Sequence, residues 1–268
     1  MAKRFIERES LQYRFISGIK HYSYFHEYPR NKDLYIWGIP SEYPTLRDRE
    51  VSALASCFIY DGTEKSLEAA RKLDRLFCGE PYKYIMEKRF VGFIMVENQD
   101  ETFYDYLTVK DIYKFFVDLH TLFSLTPTVY LSYAMSEGDI PFEKMKKVLS
   151  GIRRFDWRYP HSYARINLFL FMMAHCFCDY KLDESQLLAP MFQRHFAVCK
   201  SIGLIKSKGK FSTKSTYELT ENLKWFSERH PMTYWVGVVA YIDAYRAKDK
   251  LINKFSKMKL KKHSFRKR

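Results

Sequence analysis

Apolar residues recur at three- and four-residue spacing through most of the chain, and helix-start signals stand before the periodic stretches. Thr45 with Asp48, Asp61 with Glu64, Thr108 with Asp111 and Asp183 with Gln186 all have capping-box spacing. In that arrangement an N-cap oxygen takes an orphan amide and a later side chain reaches back. Breaks at Pro40, Pro44, Gly79-Glu80-Pro81, Pro127, Gly138, Pro160, Pro190, Gly203 and Pro231 separate the stretches. The pattern predicts helices over 3–22, 45–60, 63–78, 81–88, 108–125, 127–135, 141–153, 161–177, 183–189, 190–203, 213–228 and 231–260. Only 89–103, with Phe93-Ile94-Met95-Val96, reads as a short strand or ordered loop. The expectation is an all-α fold: one compact region over 1–247 and a basic C-terminal tail over 248–268.

With 268 residues, 22 Phe, 21 Tyr, 10 Gly and 9 Pro, the chain has too much aromatic mass for disorder and too few turn-formers for a many-stranded sandwich. No apolar run reaches the roughly 18 residues of a membrane span. The charged start, Lys3-Arg4-Phe5-Ile6-Glu7-Arg8, does not read as a secretory signal, and five cysteines fit reduced thiols. A cytoplasmic location without membrane contact is expected.

The net charge is +14, and two segments account for all of it. Residues 248–268 hold ten Lys/Arg against Asp249, and residues 200–214 hold five Lys and no acid. Basicity confined in this way suits a polyanion-facing surface. A solvated, solubilising tail is the alternative reading, and the apolar stripe Leu251, Phe255 and Met258 suits either docking onto a core or a membrane surface.

The glycines stand apart, so no phosphate loop or dinucleotide fingerprint exists and no small-molecule cofactor is expected. Cys176 and Cys178 lie beside His175, but two residues apart on a helix they point to different faces. A buried core role is expected for them, and no metal site. No G-x-S-x-G nucleophile elbow is present.

From Tyr163 the chain reads Tyr-Ala-Arg-Ile-Asn-Leu-Phe-Leu-Phe-Met-Met, then Leu187-Leu188-Ala189-Pro190, then Val198-Cys199-Lys200-Ser201-Ile202-Gly203-Leu204. With Asp48-Arg49-Glu50-Val51, Tyr60-Asp61-Gly62, Tyr217-Glu218-Leu219-Thr220-Glu221 and Pro231-Met232-Thr233-Tyr234-Trp235, these stretches span about 190 residues in order. The series resembles the domain of unknown function 2400 family of bacterial proteins, itself distantly similar to helix-hairpin-helix DNA glycosylases. The resemblance implies two interleaved helical subdomains with a cleft between them, DNA as the partner and a place in DNA repair. The family's Pro-Leu-Asp-x-His becomes Pro190-Met191-Phe192-Gln193-Arg194 here, so Phe192 stands at the carboxylate position and Arg194 at the histidine position. His195 lies one residue further, about 100° around a helix. The hairpin's L-P-G-x-G signature is missing.

The reading from these residues is a DNA-binding protein of DNA-glycosylase-like fold whose catalytic motif is degenerate. Its candidate DNA contacts are Arg165, Asn167, Gln193, Arg194, His195, Lys200, Lys206, Lys208, Lys210 and Lys214. Two alternatives stay open. One is an enzyme acting on a base or modified nucleotide, a glycosylase or base-modifying transferase with a relocated acid such as Asp156, Asp179 or Asp243. The other is a non-enzymatic helical interaction protein. Arg165 and Asn167, in an apolar helix, serve either an internal polar network or a cleft lining.

Overall fold

The computed structural model describes residues 35–155, 163–201, 203–206 and 211–244. Two single-turn 3-10 helices, Ile36–Gly38 and Pro40–Glu42, lead into α1 (Leu46–Ile59), then α2 (Glu64–Arg75), α3 (Pro81–Met86) and α4 (Phe90–Val96). A two-stranded antiparallel hairpin, β1 (Thr102–Tyr104) and β2 (Leu107–Thr108), precedes α5 (Val109–Leu125). Then come α6 (Val129–Met135), α7 (Pro141–Leu149), α8 (Ala164–Phe171), α9 (Gln193–Ser201), α10 (Thr213–Phe226) and α11 (Pro231–Ala244). The described chain is therefore mostly helical. No described helix is long and apolar enough to cross a membrane.

Local chemistry explains most boundaries. The Thr45 side chain accepts from the Asp48 amide at the start of α1, and Thr108 with Asp111 forms a full capping box on α5. On α2 the buried Ser66, Leu67, Ala69, Ala70 and Leu73 form one stripe, while the basic Lys72 and Arg75 sit in its last turn where the macrodipole favours cations. That helix ends in a turn where Cys78 and Gly79 both take positive φ.

Helix α1 is the hub. Every residue from Glu50 to Ile59 is buried, so this helix is enclosed on all sides rather than amphipathic. It packs against α2, α3 and α8. The last helices form a second group, with α11 against both α9 and α10. One continuous cluster of buried apolar side chains runs from Tyr35 to Val239.

Three local features differ from the sequence reading. The expected strand or loop over 89–103 contains α4, and the strand begins only at Thr102. The expected helix over 183–189 is one 3-10 turn, Glu184–Gln186, after which the chain is irregular to Phe192. The amide of Ala189 in that stretch is satisfied by Thr220 Oγ1 at 3.0 Å instead of by a helical carbonyl. Beyond α8 the chain continues as a π turn, Met172–Cys176, and leaves Cys176 half-buried and Cys178 exposed, not in the core. The expected helix over 3–22, the far end of 231–260 and the tail over 248–268 lie outside the described residues.

Candidate nucleic-acid interface

The turn between α1 and α2 meets the start of α9. The Asp61 carboxylate accepts from the Thr63 amide at 3.0 Å, the Thr63 hydroxyl at 2.7 Å and the Tyr104 hydroxyl at 3.0 Å. Asp61 thus makes an Asx turn, and the cap of α2 is Thr63 with Ser66 rather than Asp61 with Glu64. Gly62 follows at φ +89°, where a side chain would be strained. A Cβ built there would lie 3.3 Å from Phe192 Cβ and 3.6 Å from His195 Nε2. The glycine therefore lets the α1–α2 turn close on the side chains of Phe192 and His195.

On the α9 side, the Phe192 amide donates to His195 Nδ1 at 3.4 Å. His195 is the third residue of α9 and performs the reach-back that Glu or Gln makes in a capping box. That bond sets the tautomer, with the proton on Nε2. His195 is buried, its ring edge-on to Trp235 at 5.0 Å and to Phe192 at 5.8 Å. Burial, with the Arg194 charge adding to it against a smaller opposing effect of Asp61, pushes the imidazole down to about 3. The ring is neutral at physiological pH. Phe192 is also buried, with its ring 5.3 Å from Tyr60.

The candidate contacts divide by exposure. Gln193, Lys200, Lys206 and Lys214 are exposed and Arg194 is half-buried. Arg194 Nη1 donates to the Gly62 carbonyl at 3.3 Å. Lys200 Nζ lies over the Phe196 ring at 5.4 Å, and the Lys206 amide donates to Glu218 Oε1 at 2.7 Å. Lys208 and Lys210 lie outside the described residues.

Arg165 and Asn167 are buried, at 0% and 1% exposure. Arg165 Nη1 donates to the Phe155 carbonyl and Nη2 to the Tyr106 hydroxyl, each at 2.8 Å. Its guanidinium lies over the Phe58 ring at 5.5 Å. This arrangement ties α8 to the hairpin turn and to the segment after α7, the internal-network alternative for this arginine. The carboxylate candidate Asp179 is held by Arg49 in a bidentate pair at 2.7 and 2.8 Å. Asp156 and the side chain of Asp243 lie outside the described residues.

The least expected acid is Glu50, fully buried in α1. It accepts from the Val129 amide at 2.9 Å, the Tyr130 amide at 2.8 Å and the Tyr180 hydroxyl at 2.7 Å, so it caps the start of α6 from inside the core. Burial raises its carboxyl to about 7 despite those donors. Asp74, half-buried between Tyr43 and Ser52, is raised to about 6 by the same cause. A glutamate inside an apolar helix is the sequence signal for Glu50; nothing local marks Asp74.

No family model, curated protein or solved structure matches this chain. Its function is therefore read from its own residues.

Proposed function

We propose that this protein binds DNA through its two basic segments, with the two helical subdomains of a glycosylase-like fold and without base-excising chemistry at 190–194. The observation that carries this reading is the confinement of the entire +14 charge to 200–214 and 248–268. The exposure of Lys200, Lys206 and Lys214 supports it, since phosphate contacts need cations that reach solvent. The ordered motif resemblance to the domain of unknown function 2400 family points to the same partner. Phe192 at the carboxylate position supports a binding role: an aromatic side chain can neither take a proton nor stabilise cationic charge at a sugar as a carboxylate does.

The direct test changes Lys200, Lys206 and Lys214 together to Gln and follows anisotropy of a labelled duplex. Weaker binding is expected, and the slope of log affinity against log salt should fall by about 0.9 for each phosphate that is no longer neutralised. Unchanged affinity and slope would remove these lysines from the interface.

A further inference from the structure

At the end of α1 opposite Gly62, about 20 Å away along the helix axis, lies an open pocket of about 540 Å³. Its lining includes Thr45, Arg47, Asp48, Tyr82, Lys83 and Thr128. The volume falls within the roughly 300–1,000 Å³ of small-molecule sites. Its polar groups sort by what they already engage.

Each carboxylate oxygen already accepts from one donor. Asp48 Oδ1 accepts from the Tyr82 amide at 3.0 Å, and its Oδ2 from the Thr45 hydroxyl at 2.5 Å. Glu80, beside them, binds Lys83 at 3.2 Å through one oxygen and Arg89 at 3.0 Å through the other. The donors are not filled. Arg47 is exposed, and among the described residues it makes no ion pair; its guanidinium lies over the Tyr82 ring at 5.2 Å. That contact sets the guanidinium against the ring and leaves its N–H groups for a ligand. The Thr128 hydroxyl accepts from the Leu131 amide at 3.2 Å, and its own proton has no acceptor among the described residues. Lys83 gives one contact to Glu80 out of three rotatable donors.

The position of Arg47 adds a separate point. It is the second residue of a 14-residue helix, in the first turn, where the macrodipole favours anions and disfavours a cation. A cation held there without a carboxylate partner does not serve the helix.

We infer that this pocket binds a phosphomonoester, with the phosphate on Arg47 and with Lys83 and Thr128 as further donors. Three donors from three different elements match the several oxygens of a tetrahedral phosphate better than the two of a planar carboxylate. The phosphate belongs either to a free small molecule or to the 5′ end of a nucleic acid. The inference uses none of the residues of the proposed duplex interface and does not depend on it.

Calorimetry on the full chain distinguishes these sources with four probes: adenosine 5′-monophosphate, adenosine, and a short oligothymidylate with a 5′-phosphate or a 5′-hydroxyl. The same titrations are run on Arg47→Gln, an exposed substitution whose folding is checked by its melting temperature. A phosphorylated probe is expected to bind more tightly than its unphosphorylated partner, and Arg47→Gln to weaken it tenfold or more. An Arg47-dependent gain with adenosine 5′-monophosphate alone assigns a free phosphomonoester; a gain confined to the oligonucleotide assigns a nucleic-acid end. If neither phosphate gives an Arg47-dependent gain, the inference is wrong, whatever the duplex measurements show.

Discussion

Arg194 Nη1 donates to the carbonyl oxygen of Gly62 across 132 residues of chain. The bond joins the α1–α2 turn to the start of α9. It lies beside the place where Gly62 faces Phe192 and His195. Two separate constraints therefore act on Gly62: its positive φ, and a tight 3.3 Å approach of any Cβ to Phe192.

Gly62→Ala is expected to destabilise the fold by about 1–3 kcal/mol, from backbone strain together with displacement of Phe192. Urea unfolding measures this. Stability equal to that of the parent chain would mean that the turn does not meet α9 as described.

Arg165→Met tests whether the buried arginine is an internal strut. The substitution removes this donor from the Phe155 carbonyl and from the Tyr106 hydroxyl. Leaving a buried acceptor short of its donor in this way costs about 1–3 kcal/mol. Weaker DNA binding with full retention of stability would instead make Arg165 a ligand contact.

The legible parts of the fold are those fixed by near neighbours. Thr45 and Thr108 announce α1 and α5 because a cap needs only residues three positions apart. Phe93-Ile94-Met95-Val96 suggests a strand because of its Ile and Val, yet Met95 and Val96 are 81% and 85% exposed at the end of a short helix. Periodicity cannot foresee that, since neither side chain is recruited by the core. At the candidate site, the spacing places His195 off the family's histidine position, but its inward turn onto the Phe192 amide depends on Trp235 and Gly62, far away in sequence. The exposure of Lys200, Lys206 and Lys214 is legible from the acid-free run that contains them. The burial of Arg165 and Asn167 is readable only as one of two alternatives.

Glu50 predicts a pH effect. Its folded pKa of about 7 lies above the ordinary value of 4.5, so the folded state holds the proton more tightly. The stability contributed by this group is full below about pH 4.5 and is lost as pH rises through 7, by an amount of order 3 kcal/mol. Asp74, raised to about 6, acts in the same direction, while His195, lowered to about 3, acts in the opposite one. The measurement is therefore the difference between the parent chain and Glu50→Gln, by urea unfolding at several pH values. The advantage of the parent chain should shrink from pH 4.5 to 7, and a difference independent of pH would refute the assignment.

Base excision is expected to be absent. Phe192 is buried against Tyr60, and the alternative acid Asp179 is locked by Arg49. Duplexes containing uracil, oxidised guanine or alkylated adenine should yield no abasic sites after incubation with the protein. Release that disappears on changing Asp179 or Asp243 would establish a relocated acid and an enzyme.

The central claim is that the two basic segments form the DNA footprint. Its most direct measurement is the slope of log affinity against log salt for a duplex, for the full chain and for a chain ending at residue 247. A steep slope that flattens on removal of 248–268 is predicted, because each neutralised phosphate releases condensed counterions. Equal slopes for the two chains, or no measurable duplex binding at low salt, would contradict it.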